Sequence, residues 1–179
     1  MKLLKYKSLF FGILTLVSFS SFSNPVDLQF IRKQFFKAIE DEKVTKEMVE
    51  KMTTIPDKNP TLLAFQGGFE YLMAKHLGNP YKKLDYLGKA EKTLKAAVAK
   101  EPNNPEIRFL RFSSQHYLPE FLGMSKELNS DRIAMVKNLL AFAKNPENKL
   151  SAEVIARFLV QSKRCSPEEL AIVNQCIPS

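Results

Sequence analysis

The feature that most constrains the fold of this chain is a recurring dipeptide, asparagine followed by proline. Five of the ten prolines follow an asparagine, in the pairs Asn24-Pro25, Asn59-Pro60, Asn79-Pro80, Asn104-Pro105 and Asn145-Pro146. Asparagine is a favoured N-cap, and proline suits the first helical position because its missing N–H would have no intrahelical partner there. Each pair therefore predicts the start of a helix. Ser166 and Glu169, which flank Pro167, have the spacing of a capping box and predict one more.

Between these starts the apolar residues recur at the spacing of a helix rather than that of a strand. One such stripe consists of Leu62, Phe65, Phe69 and Leu72. Runs that alternate between apolar and polar residues, as half-buried strands do, are missing. The sequence therefore predicts an all-α fold with helices at about 26–42, 46–54, 60–77, 80–101, 105–118, 130–144, 151–163 and 167–176.

The way these helices repeat along the chain predicts two hairpins. Helices joined by short linkers pack as antiparallel neighbours, and the starts at Pro60 and Pro105 lie 45 residues apart. The segment 80–101 has the spacing of the second helix of a tetratricopeptide repeat (TPR), with the marker residues Ala90, Leu94, Ala97 and Pro102. Part of this pattern recurs 44 residues later in Ala134, Ala141 and Pro146, with Asn138 in place of the leucine. We therefore expect a short TPR-like array of stacked hairpins, capped by irregular flanking helices.

The first 23 residues have the layout of a secretory signal peptide. An apolar run at 9–19 follows a basic start that contains Lys2, Lys5 and Lys7. The run is shorter than the roughly 20 residues that a membrane-spanning helix needs. Serines at the third and first positions before Asn24 suit signal peptidase, so we expect cleavage after Ser23 and one helical domain over 24–179. The alternative is an uncleaved membrane anchor.

The charge of the chain constrains its partners only loosely. Removal of 1–23 takes away three lysines and no acids, so the formal net charge of +8 falls to +5. The remaining basic residues are mixed with Glu and Asp, which is typical of a solvated surface. Nucleic acid is a poor partner for an exported protein, so we expect a protein partner, with an anionic envelope surface as the alternative. We expect no stable membrane span once the signal peptide has been cleaved.

Residues 60–123 contain three longer strings that are more distinctive than the alanine and proline spacing. The strings run over Phe65–His76, Ala96–Phe112 and Leu118–Gly123. The stretch, about a third of the chain, resembles uncharacterised exported TPR-like proteins of Bacteroidetes-type bacteria. The resemblance implies a helical-repeat fold and an exported location, periplasmic or secreted. It implies no activity, because that family has none assigned.

Both cysteines of the chain, Cys165 and Cys176, lie in its last 15 residues. Export would permit a disulfide between them, because oxidising compartments preserve such bonds. Closing a loop of this size would contribute roughly 3 kcal/mol in the chain-entropy account. Two unpaired thiols are the equally weighted alternative, since the sequence does not give the distance between them.

The sequence carries few groups suited to catalysis. It has two histidines, and His76 ends an apolar stripe at the last turn of its helix, where a packing or capping role is expected. Zinc-binding spacings, phosphate-binding loops and nucleophile elbows are missing, so we assign no catalytic residue, metal or cofactor. Gly67 and Gly68 lie inside a predicted helix, and each glycine weakens that helix by roughly 1 kcal/mol. Their presence predicts that another helix crosses closely at this point.

The most suggestive polar feature is a stripe on the helix predicted at 105–118, formed by Arg108, Arg111 and Gln115, with His116 on the neighbouring apolar face. The rest of that helix is apolar on both flanks, so the stripe must meet solvent, a groove or internal acids. The acids considered as partners are Glu70, Asp85 and Glu106. Structural ion pairs are the favoured interpretation, and a groove for an anionic ligand or an acidic peptide is the alternative.

These observations predict a binding or scaffolding module of the cell envelope, because stacked helical hairpins present a continuous surface and no catalytic group is evident. The alternative is a small enzyme or anionic-ligand-binding protein. In that hypothesis His116 is the general base, and Arg108 and Arg111 hold an anionic substrate.

Overall fold

The computed structural model describes residues 26–178, and within them every regular element is a helix. The helices are α1 (Leu28–Ala38), α2 (Glu42–Thr54), α3 (Pro60–His76), α4 (Pro80–Lys100), α5 (Pro105–His116), α6 (Leu128–Ala143), α7 (Lys149–Ser162) and α8 (Pro167–Val173). Single 3-10 turns lie at Glu120–Leu122, Pro146–Asn148 and Asn174–Cys176. The predicted all-α class is confirmed. Within residues 26–178, no helix is both long and apolar enough to cross a bilayer.

The predicted caps explain where four of the eight α-helices begin. The side chains of Asn59, Asn79 and Asn104 each accept backbone N–H bonds in the first turn of α3, α4 and α5, with proline next in the chain. The Ser166–Glu169 capping box at the start of α8 is formed in both directions. Asn145 caps the 3-10 turn Pro146–Asn148, and α7 follows directly after it. The pair Asn24-Pro25 lies outside the described residues.

Some helix bounds differ from those predicted. The helix predicted at 26–42 ends at Ala38, and the next begins at Glu42 rather than 46, because the Asp41 carboxylate accepts the N–H of Val44 and caps α2. The sixth helix begins at Leu128, two residues before its predicted start, and α8 gives way to a 3-10 turn after Val173.

Helix α3 lies at the centre of the molecule, in contact with α1, α2, α4 and α5. Two glycines allow this crowding: a Cβ on Gly67 would lie 2.7 Å from Cγ of Leu94, and a Cβ on Gly68 would lie 2.7 Å from Cε2 of Phe35. No ordinary side chain fits at either distance. The prediction of a close crossing is confirmed, with the difference that two helices cross here, α4 at Gly67 and α1 at Gly68.

The two hairpins, α3 with α4 and α5 with α6, do not pack through equivalent residues. Ala90, Leu94 and Ala97 are buried in α4, as their spacing predicts. In α6, by contrast, Ala141 is exposed and Ala134 is only partly buried. The buried apolar side chains of α6 are instead Leu128, Met135, Val136 and Leu139. The 44-residue recurrence therefore does not describe how the second hairpin packs.

Candidate functional site

The polar stripe of α5 meets a single carboxylate on α6. Arg111 donates from Nε to Oδ2 of Asp131 at 2.8 Å and from Nη2 to Oδ1 at 2.6 Å. Arg108 donates from Nη1 to the same Oδ1 at 2.8 Å. Asp131 has no solvent exposure, so its charge is balanced by these two guanidinium groups rather than by water.

Arg108 also donates from Nε to the carbonyl oxygen of Pro102 at 2.7 Å, which joins the α4–α5 turn to α6. The expectation that the stripe pairs with Glu70, Asp85 or Glu106 was wrong. Glu106 binds Arg32 and Glu70 accepts bonds from Gln66 and Thr93, whereas Asp85 is exposed on α4. A signal for Asp131 was available, because an acid in the first turn of the next helix is well placed to face α5 across a hairpin.

Gln115, the third member of the stripe, is buried and bonds to the α5–α6 connection instead of Asp131. Its Nε2 donates to Oε2 of Glu127 at 3.2 Å, and its backbone carbonyl accepts the hydroxyl of Ser125 at 3.0 Å. The side-chain Oε1 is buried and has no hydrogen-bond partner among residues 26–178. Gln115 therefore holds the connection that leads into α6.

His116 lies at the end of α5, apart from Arg108 and Arg111. Its ring stacks on Phe112, with ring centroids 5.9 Å apart, and meets Phe158 edge-on at 5.6 Å. Nδ1 accepts a hydrogen bond from Nε of Arg164 at 3.1 Å. Partial burial, together with the charge of Arg164, lowers the pKa of His116 below its ordinary value.

An open cleft of about 520 Å³ adjoins this histidine, and we name it the His116 cleft. Its polar lining consists of His116, Glu120, Ser125, Lys126, Asn129 and Arg164, and Gly123 forms part of its wall. Gly123 has a φ of 65°, a left-handed conformation that glycine adopts without strain. Arg108 and Arg111 do not line this cleft, so the structure separates the two arginines from the histidine with which the enzyme hypothesis grouped them.

A second buried ion pair, which the sequence did not reveal, joins α1 to α5. Arg32 donates from Nε and Nη2 to the two carboxylate oxygens of Glu106, each at 2.8 Å. The same guanidinium contacts the Glu147 carbonyl and the Asn148 side chain, just before α7. The neighbouring cavity measures about 20 Å³, room for about one water molecule. This network is structural, because it leaves no space for a ligand.

The remaining candidate residues, His76, Cys165 and Cys176, do not form a catalytic or metal-binding site with other described residues. Nε2 of His76 lies 2.9 Å from the Ala38 carbonyl at the end of α1, in agreement with the expected capping or packing role. Cys165 and Cys176 are free, partly buried thiols, and burial raises the pKa of each; their disulfide stays a prediction. Among residues 26–178 no group of three or more His, Cys, Asp or Glu side chains is placed to hold a metal ion.

Comparisons of the chain with known protein families, with curated proteins and with solved structures found no match. The buried arginines Arg32 and Arg111 pair with the buried carboxylates of Glu106 and Asp131, whereas His116 and Arg164 line an open cleft.

Proposed function

We propose that this protein is an exported helical-repeat binding module of the cell envelope, of TPR-like type, whose partner is another protein. The observation that carries the proposal is the pair of exposed aromatic side chains on the α5–α6 connection beside the His116 cleft. Tyr117 is 70 % exposed and Phe121 is 86 % exposed. Exposed aromatic surface next to polar groups is characteristic of protein-binding sites, because it becomes buried only when a partner is present.

The alternative of a small enzyme has less support. It requires Arg108 and Arg111 to hold an anionic substrate beside His116, whereas both arginines contact Asp131 and neither lines the cleft. Among the described residues, His116 makes no hydrogen bond to a carboxylate or a nucleophile, and the bond that it does make is accepted from a cation, Arg164. A general base would instead be expected to contact the group that it activates.

Export is proposed from the N-terminal sequence alone, because residues 1–25 lie outside the described part of the chain. The basic start, the apolar run and the serines before Asn24 support it. Mass spectrometry of the protein recovered from the envelope or the medium of its native host should give Asn24 as the first residue. Full-length protein found only in the membrane fraction would contradict cleavage.

Binding is tested by photo-crosslinking in the same cells. A photoreactive amino acid in place of Phe121 should crosslink one discrete protein, and excess unlabelled protein should abolish that product. The matched control is the same amino acid at Tyr81, which is 80 % exposed on α4 and does not line the cleft. Equal crosslinking from both positions, or none from Phe121, would refute a binding surface at the α5–α6 connection.

A further inference from the structure

We infer that the His116 cleft binds the carboxylate of an acidic side chain on the partner protein, with Arg164 as the anchoring cation. This inference rests on the proposed binding function and adds the chemistry by which the partner is recognised. Its central observation is a contrast among the arginines. Arg32, Arg108, Arg111, Arg132 and Arg157 each contact a carboxylate of the chain. Arg164 has no carboxylate partner among the described residues, and it lies in a cleft.

The local backbone places Arg164 in that cleft. Helix α7 ends at Ser162, and Lys163 follows with a φ of 55°, in the left-handed region that a lysine rarely adopts. Such a residue is retained when surrounding contacts compensate for its strain. Here the turn brings Nε of Arg164 to 3.1 Å from Nδ1 of His116, which lies 48 residues earlier in the chain.

His116 acts as a fixed support for the guanidinium. Its ring is held between Phe112 and Phe158, and Nδ1 can accept the Arg164 bond only while it is unprotonated. The lowered pKa of His116 favours that neutral form. Because Nε is already bonded, the terminal Nη1 and Nη2 groups are oriented in advance, which reduces the entropy lost when a carboxylate binds to them.

The charges around the cleft favour an anion. Lys126 also lines it and forms no ion pair with any described residue, whereas Glu120 is the single acid in the lining. With His116 neutral, two cations therefore face one carboxylate. Glu127, next to Lys126 in the chain, is partly buried and accepts a bond from Gln115.

The exposed aromatic side chains of Tyr117 and Phe121, which adjoin lining residues of the cleft in the chain, indicate that the carboxylate belongs to a protein rather than to a free organic acid. Phe121 is the most exposed large apolar side chain in residues 26–178. In the chain it lies between Glu120 and Gly123, which both line the cleft. A small anion would leave Phe121 and Tyr117 in water. An acidic residue with apolar neighbours would cover both, and burial of aromatic surface would add to the ion pair.

Selection from a random nine-residue peptide library displayed on phage tests this inference with the purified protein. Peptides selected by the wild type should be enriched in Asp or Glu next to apolar or aromatic residues. Arg164→Gln should lose the acidic enrichment. Arg157→Gln should keep it, because Arg157 lies on α7, where it forms a surface pair with Glu153. Selection without acidic enrichment, or the same enrichment with Arg164→Gln, would overturn the inference, as would no selection at all.

The best selected peptide then locates the site by NMR of the two histidine rings. Its binding should move the His116 signals, raise the pKa of His116 and leave His76 unchanged. Replacing its acidic residue by the amide should weaken binding about tenfold, as should Arg164→Gln. If acetate binds as tightly as the peptide, the inference that the carboxylate belongs to a partner protein would be overturned. Because peptide selection needs no export, its success alongside failed crosslinking in cells would refute the proposed function and leave the acidic preference intact.

Discussion

Arg111 and Asp131 form a two-bond ion pair across the α5–α6 hairpin, with the two donor–acceptor distances at 2.8 and 2.6 Å. Both side chains are buried, and Arg108 adds a third bond to the same carboxylate. Asp131 therefore neutralises guanidinium charge that would otherwise be buried in the hairpin without a counter-ion. Removing this carboxylate should therefore lower the stability of the fold.

Asp131→Asn should lower the free energy of unfolding by about 3–5 kcal/mol, because removing one partner leaves buried guanidinium charge uncompensated. Urea unfolding followed by circular dichroism checks this value. Arg108→Met should cost less, about 1–3 kcal/mol, since Arg111 still satisfies the carboxylate. As a control, Glu153→Gln breaks the exposed pair with Arg157 and should change stability by less than about 1 kcal/mol. Equal effects at Asp131 and Glu153 would contradict the structural role of the buried pair.

Alanine substitutions at the glycines should have opposite effects at two positions. Gly67→Ala should destabilise by about 1–3 kcal/mol, because the new Cβ would lie 2.7 Å from Cγ of Leu94 and 3.2 Å from its backbone nitrogen. Gly88→Ala should stabilise by roughly 0.5–1 kcal/mol, since alanine is the better helix former and a Cβ there meets nothing within 4 Å. Thermal melts of both variants provide the comparison. A stabilising Gly67→Ala would contradict the close crossing of α3 and α4.

Stability should fall as the pH drops below the ordinary histidine pKa of 6.5, because folding lowers the pKa of His116. The unfolded chain then binds the proton at a higher pH than the folded chain does. The loss therefore begins near pH 6.5 and is complete below the folded pKa. His116→Gln should show a smaller drop in melting temperature between pH 7.5 and 5.5. An unchanged drop in the variant would refute the assignment to His116.

Cys165 and Cys176 are predicted to form a disulfide when the protein is oxidised. Burial raises the pKa of both thiols, so the reactive thiolate is scarce at neutral pH and uncatalysed oxidation should be slow. After oxidation, thiol titration in denaturant should find no free thiol, and hydrogen exchange should slow mainly in α8. Cys176→Ser supplies the unbridged reference. Two titratable thiols in the oxidised, folded protein would exclude the bond.

The helices were largely predictable because their signals are local. Asn59, Asn79 and Asn104 cap helices through N–H groups two or three residues away, which a sequence displays directly. The burial of α5 on both flanks likewise follows from its own apolar residues. Proximity in the chain therefore accounts for most of the agreement.

The site was less predictable because its contacts are distant in sequence. Asp131 was missed as the partner of Arg111, 20 residues away, in favour of other acids. The bond between Arg164 and His116 depends on a left-handed lysine, and no pattern in the sequence marks Lys163 for that conformation. The residue of greatest functional interest was therefore absent from the predicted set, although its neighbour His116 was present.

Arg32 has a further consequence for how this chain can evolve. In a linear helical array each hairpin touches only the next, so whole units can be gained or lost while the rest stays folded. Here Arg32 bonds to Glu106 and Asn148, 74 and 116 positions further along, and closes the first helix onto the last third of the chain. A hairpin inserted between α4 and α5 would separate these groups and leave the charges of Arg32 and Glu106 without a partner. Relatives of this chain should therefore vary in their loops and keep the number of helices between Arg32 and Asn148 constant.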